Sequence, residues 1–242
     1  MINDLGGYGM GKLIVMEGID GSGKETQSRL LKERLSSEGL PWYETTFPQY
    51  DSESSFFVRQ YLSGSYGTNA QAISAKQASY CYAMDRFHTL RTNVELRSAL
   101  SDTCTTVIAD RYTTSNILFQ AAKLDSKEEM YRLIDWICNL EYGDLELPVP
   151  DLVIMPHVEV EKNIELLKER DIVANASKNN MTTDIHERDF DFIRRVSAAS
   201  EIIAERMGFK VIDCMDKNGE LRSKKDIHEE IYGEVKKLIL KP

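Results

Sequence analysis

Residues 18–25 read Gly18-Ile19-Asp20-Gly21-Ser22-Gly23-Lys24-Glu25, a spacing of glycines ahead of a lysine that suits phosphate binding. The glycines let consecutive backbone N–H groups curl around phosphate oxygens, and Lys24 adds a point charge for the β- and γ-phosphates of ATP. The apolar run Leu13–Glu17 feeds the loop and a helical pattern leaves it, so a helix N-terminus also faces the anion. A chance glycine-rich turn would lack this combination of strand, spacing, lysine and helix. Position 25 departs from the usual pattern, in which a Ser or Thr hydroxyl stands on Mg²⁺. Thr26 lies about 100° further round the helix and does not simply take that place. Glu25 can ligate the metal, directly or through water, or it can repel the triphosphate. The otherwise intact loop predicts Mg²⁺-dependent activity. Asp20 can hold the metal's water shell or orient an acceptor phosphate; an ordinary turn aspartate is the alternative.

A second anion site is written at Asp110-Arg111-Tyr112, which closes the apolar run Thr106–Asp110. Ligands of parallel α/β sheets bind beyond the carboxyl ends of strands. Arg111 is therefore placed to grip a phosphate in bidentate fashion, and Asp110 to hold Mg²⁺ or its waters. A structural Asp–Arg pair is the competing reading, for this dipeptide and for Asp85-Arg86. Tyr82 and Arg86 are four residues apart and share a helix face. They can stack on and hydrogen-bond a base, or Tyr82 can be core.

The elements that position these residues alternate. Leu13–Glu17, Thr106–Asp110, Asp151–Met155 and Lys210–Cys214 are short apolar runs, and Trp42–Thr46 is a plausible fifth. Such runs suit a parallel sheet covered on both faces. Helical patterns lie at Lys24–Glu38, Gln71–Leu100, Val160–Arg170 and Asp189–Met207. Another opens at Ser126 with a capping box to Glu129, and a last helix carries Ile227, Ile231, Val235, Leu238 and Ile239 on one face. The alternation predicts an α/β fold with a central five-stranded parallel sheet flanked by helices. Residues 1–11 read as a flexible tail and 12–242 as a single domain. Ile172–Asp184 is polar and irregular, either a surface loop or a mobile flap over a nucleotide.

The 242 residues carry a formal net charge of −9, which argues against a general nucleic-acid or acidic-membrane binder. Cys81, Cys104, Cys138 and Cys214 form no CxxC pair and read as reduced thiols in a reducing compartment. The four histidines are as dispersed and suggest no zinc site. No run has the length of a transmembrane helix or the shape of a secretion signal, so a cytoplasmic setting is expected.

With these residues in hand, the chain resembles the thymidylate kinases from about Lys12 to its C-terminus. The carrying motifs are LIVMEGIDGSGKETQ (13–27), TTFPQYDS (45–52), YAMDRF (82–87), VIADRYTTSNILFQ (107–120), PDLVIM (150–155) and DIHERDFDFIRRV (184–196). The resemblance implies a three-layer P-loop NTPase fold with a core, a monophosphate-binding region and a lid around 170–188. It implies ATP-dependent phosphorylation of dTMP to dTDP, with Mg²⁺, by a homodimer that binds no nucleic acid and no membrane. Kinases for another nucleoside monophosphate or a nucleoside, and a nucleotide-binding module without turnover, are the rival readings.

By position, the resemblance gives Gly18 to Thr26 the ATP phosphates and makes Asp20 the loop carboxylate; with Asp110 and Glu25, read above from their own positions, Asp20 completes the expected metal set. Tyr82 takes the place of the aromatic that stacks on thymine, Arg86 of the arginine reading the base edge, and Arg111 of the arginine on the acceptor phosphate. Phe119 stands where a ring crowds the sugar 2′ position; Asn116 and Gln120 are base or sugar contacts. Phe47-Pro48 matches the family's loop. Tyr50 replaces the arginine that some members carry two residues after that proline, and Arg59 resembles the arginine that bacterial-type members use instead. Other members carry a catalytic cation beside the loop Asp. Gly21 stands there in this chain, so the cation is expected from the lid: Arg170, Lys178 or Arg188, with Arg170 favoured.

Overall fold

The computed structural model describes residues 11–176 and 189–240; of residues 170–176 it describes the backbone alone. Five strands form one wholly parallel sheet: β1 (Lys12–Met16), β2 (Trp42–Thr46), β3 (Thr106–Asp110), β4 (Leu152–His157) and β5 (Lys210–Asp213), in the order β2-β3-β1-β4-β5. The central strands are apolar on both faces because both faces are covered. Ile14, Met16, Ile108, Ile154 and Ile212 pack on one side with Leu31 and Leu35 of helix α1 (Lys24–Ser37) and Ile231 and Val235 of α9 (Lys224–Ile239). Leu13, Val15, Val107 and Ala109 face the other way, onto Leu96 and Leu100 of α4 (Val94–Ser101) and onto Phe47 and Tyr112. A further core joins α5 (Thr113–Ala121), α6 (Lys127–Cys138) and α8 (Phe190–Met207).

Register brings the chemistry together. Met16 pairs with Asp110, and Asp110 with Thr46, so β1, β2 and β3 end at one level. The phosphate loop, the cis Phe47-Pro48 turn and Arg111 leave the sheet side by side.

The expected helix over Gln71–Leu100 is two helices. α3 runs Ala75–Thr92, and α4 starts afresh after Asn93. The Asn93 side chain accepts the Leu96 N–H at 2.8 Å and the backbone there is extended, so a strong N-cap residue breaks an otherwise continuous apolar pattern. A complete capping box stands at Ser74 and Gln77. At Ser126 the box is half made: its hydroxyl accepts from Glu129 N and donates to the Glu129 carboxylate. A short α2 (Phe56–Leu62) and a π-helical turn over Asn139–Asp144 complete the acceptor side. α7 (Val160–Ala176) continues into the segment expected to be irregular; 177–184 lies outside the described residues. Among the described residues no helix is long and apolar enough to cross a membrane.

Candidate functional site

A cavity of about 240 Å³ opens beyond the carboxyl ends of the strands. Asp20, Phe47, Tyr82, Arg86, Asp110, Arg111, Asn116, Phe119 and Gln120 line it, with Tyr50, Tyr112 and Ser115. The residues expected at the acceptor are therefore brought together, apart from Arg59. Arg59 Nη1 donates to the Tyr50 and Ser52 carbonyls and to Ser55 Oγ, which ties it to the loop ahead of α2 instead.

Arg111 is the pivot. It follows β3 directly and holds φ at +62°, a left-handed conformation that costs a non-glycine residue about 1–2 kcal/mol. Such strain persists where surrounding contacts fix it. Its backbone N–H donates to Met16 O, its Nη1 donates to Ser115 Oγ at 3.2 Å, and its Nη2 donates to Asp20 Oδ1 at 2.7 Å. The guanidinium lies 5.3 Å from the Phe119 ring centroid. Burial works against its charge, but Asp20, Glu17 and Asp110 outweigh that and raise its pKa. The Asp110–Arg111 dipeptide is thus not a local ion pair: the arginine's partner is Asp20 of the phosphate loop.

The loop itself is preformed. Gly18, Gly21 and Gly23 all have positive φ, at +133°, +82° and +89°. Gly23 immediately precedes α1. Lys24 is buried, donates to Ile19 O at 3.1 Å and lies 3.6 Å from Asp20 Oδ1. Burial, then repulsion from Arg111, lowers its pKa. Ser22 Oγ is a buried atom without a protein partner.

Behind the loop stands Glu17, fully buried. It accepts from Gly18 N at 2.8 Å, from Ser115 Oγ at 2.7 Å and from Thr114 Oγ1. One carboxylate thus binds the start of the phosphate loop to the start of α5 and adds negative charge beneath Lys24 and Arg111. The sequence shows Glu17 as the end of an apolar strand; an acid at that boundary is the signal it offers.

The Arg86 guanidinium is buried and pairs bidentately with Glu141, not with Asp85. Burial opposes its charge and Glu141 more than restores it, so its pKa is raised. Asp85 accepts from Gln49 N and Ser54 Oγ, fixing the loop after the cis-proline. Tyr82 meets Tyr61 edge to face, with ring centroids 6.4 Å apart. Gln120 is fully buried with both amide atoms unpartnered, as are Asn116 Oδ1, Tyr112 Oη and Asp110 Oδ1 among individual atoms. Buried polar atoms are normally satisfied, so this concentration at one cavity marks a polar ligand.

The expected metal set of Asp20, Asp110 and Glu25 is not preassembled. Among the described residues no three acidic, His or Cys side chains converge for a metal. Glu25 and Thr26 line a neighbouring cavity with Arg29, Lys32 and Glu44, and Asp110 lines both cavities. One or two carboxylates beside substrate phosphates are what Mg²⁺ generally takes, so Asp110, with its unpartnered buried oxygen, fits that ion, and Glu25 opens onto the same space. Lys178 and Arg188 lie outside the described residues, as does the Arg170 side chain.

Comparison with known proteins agrees with this geometry. A family model described as thymidylate kinase matches residues 16–228. A probable thymidylate kinase of Methanocaldococcus jannaschii is 30% identical over 227 residues, 93% of this chain and 96% of that one. The thymidylate kinase of Halothermothrix orenii is 27% identical over 232 residues, covering 96% and 99%. That of Mycobacterium tuberculosis is 28% identical over 198 residues, covering 81% and 87%. Among solved structures, a thymidylate kinase from Candida albicans superposes with a TM-score of 0.65 at 18% identity, covering 94% of this chain and 92% of that one.

Proposed function

The chain belongs to the thymidylate kinase family, and we propose that it moves the γ-phosphoryl group of ATP onto dTMP at the junction of the phosphate loop and the acceptor cavity. An oxygen of the dTMP phosphate forms a bond to the γ-phosphorus, the bond from that phosphorus to the β–γ bridging oxygen breaks, and ADP and dTDP leave. The protein's task is to align two anions and stabilise the charge that spreads between them. The observation that carries the reading is the Arg111–Asp20 contact at 2.7 Å, a link between the residue closing β3 and the phosphate loop, both on one cavity wall.

In this reading Gly18 to Thr26 hold the ATP phosphates and Lys24 offsets their charge. Arg111 grips the acceptor phosphate, Tyr82 stacks on the base, and Arg86 and Asn116 meet the base edge. Phe119 crowds the sugar, while Gln120 and Phe47 close the cavity. Mg²⁺, held by Asp110 with Glu25 or its waters, neutralises part of the phosphate charge when bound. The lid around 170–188 supplies the remaining cation, with Arg170 favoured. Residues 12–242 act as one kinase domain in the cytoplasm. A homodimer is part of the same reading, and the exposed apolar pair Tyr80 and Met84, one turn apart on α3, is where we place its contact; Tyr80 packs on Trp136 of α6 with ring centroids 5.3 Å apart.

Coupled ADP release with the thymidine, uridine and cytidine monophosphates and their deoxy forms tests the reaction. dTMP is expected to be the best acceptor, and Arg111→Ala to lower turnover by about 10²–10³-fold with the fold retained. Unchanged kinetics in that variant would remove Arg111 from the mechanism.

A further inference from the structure

Glu141 belongs to none of the motifs above, yet it organises the base end of the cavity. It sits in the π-helical turn, is fully buried and does not line the cavity. Four donors converge on it. Arg86 gives Nε to Oε2 and Nη2 to Oε1, both at 2.6 Å. Thr113 Oγ1 donates to Oε2 at 2.7 Å, and Asn116 Nδ2 to Oε1 at 2.8 Å.

A carboxylate accepts and does not donate. It therefore decides which way round the Asn116 amide stands: Nδ2 must face Glu141, and the Ser79 carbonyl, 3.4 Å away, asks for the same orientation. Asn116 Oδ1 is left buried and unpartnered in a residue that lines the cavity. The Arg86 guanidinium, held by its Nε and Nη2 edge, can offer only donors. The base end thus presents an arginine donor and an amide acceptor. A pyrimidine with a 4-keto oxygen and an N3–H matches that polarity; cytosine, with a 4-amino donor and an N3 acceptor, opposes it at both atoms.

We propose that Glu141 is a positioning residue that sets this polarity, and through it the preference for 4-keto pyrimidines over cytosine. The inference rests on Arg86 and Asn116 meeting the base. Glu141→Gln keeps the volume but places an amide N–H₂ among donors. Relieving that clash turns the Asn116 amide over and presents its N–H₂ to the base. The Thr113 hydroxyl could turn to accept instead, so Thr113→Val is combined with it to close that route.

The test measures kcat/KM for dTMP, dUMP and dCMP in the parent, in Thr113→Val and in the double variant, with folding followed by thermal melting. The dTMP-to-dCMP ratio is expected to fall about 10–100-fold in the double variant and to hold in Thr113→Val, where the carboxylate still accepts from Asn116 and Arg86. The dTMP-to-dUMP ratio should hold, because those bases share the edge in question. A parent that does not prefer dTMP over dCMP would overturn the base-edge reading and this proposal with it. A parent that discriminates, with variants that lose all three activities in parallel, would overturn the role of Glu141 alone. If the double variant does not fold, Glu141→Asp decides: it keeps a charge for Arg86 but draws the carboxylate back from the Asn116 amide, and an unchanged dTMP-to-dCMP ratio there refutes the proposal.

Discussion

Replacing Gly21 by alanine tests whether the phosphate loop and α7 form one mechanical unit. Gly21 has φ +82°, and an L-residue held there loses about 1–2 kcal/mol. Its added Cβ would lie 2.9 Å from Asn163 Nδ2 and 3.2 Å from Leu167 Cγ, both on α7. Asn163 is fully buried with neither amide atom partnered, so it must be pushed into packed surroundings, adding about 1 kcal/mol. Gly21→Ala should therefore lower stability by about 2–3 kcal/mol, or about 4–12 °C in Tm for a chain of this length. Asn163→Ala removes the nearest atom and leaves the backbone cost. In that background the same substitution should lose about 1–2 kcal/mol, a coupling of about 1 kcal/mol. Independent sites add within about 0.3–0.5 kcal/mol, so denaturant unfolding of the four proteins without nucleotide resolves it. Equal costs in both backgrounds would refute the contact. The same geometry bears on catalysis: a long cation at position 21 would begin with this collision, which is consistent with the chain carrying glycine there.

Further outcomes follow from single side chains. Burial lowers the Lys123 pKa from 10.5 to about 8, beside Cys81 and over the Tyr61 ring. The folded value lies below the unfolded one, so the unfolded chain binds more protons between about pH 8 and 10.5, and stability rises with pH across that window. Relative to Lys123→Met, the parent should gain about 2–3 kcal/mol from pH 7.5 to 10.5 in urea midpoints; a constant difference would refute the shift. Phosphoryl transfer should require Mg²⁺ with Glu25 in place. A folded parent that releases no ADP, revived by Glu25→Thr, would show instead that the carboxylate repels the triphosphate. Gel filtration or sedimentation should give a dimer, and Met84→Asp beside the exposed Tyr80 on α3 should shift it towards monomer; an unshifted dimer would move the interface elsewhere.

Much of this architecture is legible in the sequence because its signals are local. Strands of four to six residues flanked by turns, and a glycine-spaced loop between strand and helix, need no knowledge of distant contacts. The break at Asn93 is local too, but it competes with an apolar period that runs straight through it, and capping wins because the side chain supplies an acceptor to an orphan N–H. Glu141 and Asn163 are different. Each lies in a mixed stretch rich in polar residues, where one more polar residue reads as a surface position. Its meaning comes from Arg86, 55 residues away, or from Gly21 across the fold. Arg59 is illegible for a related reason: its sequence position resembles a substrate arginine, while the three nearby oxygens that hold its guanidinium are backbone and hydroxyl groups of the preceding loop, which no motif shows.

The charges at the cavity explain why these distant acids matter. Lys24 and Arg111 are close enough that each disfavours the other, and Lys24 is buried besides. Without nucleotide, one carboxylate answers both: Asp20 lies 2.7 Å from Arg111 and 3.6 Å from Lys24, with Glu17 fixed beneath them. A phosphate entering the cavity competes with Asp20 for two cations that already point at a common anion, so little reorganisation is left to do. The groups that cannot be displaced are the buried ones, Glu17 and Glu141. They hold Arg111's neighbour Ser115 and the Arg86 edge in place while Asp20 yields. The half-buried Asp20 can thus exchange with substrate only because the buried acids keep the frame, and interactions that strengthen as charge develops on the transferring phosphoryl group are those that accelerate the reaction.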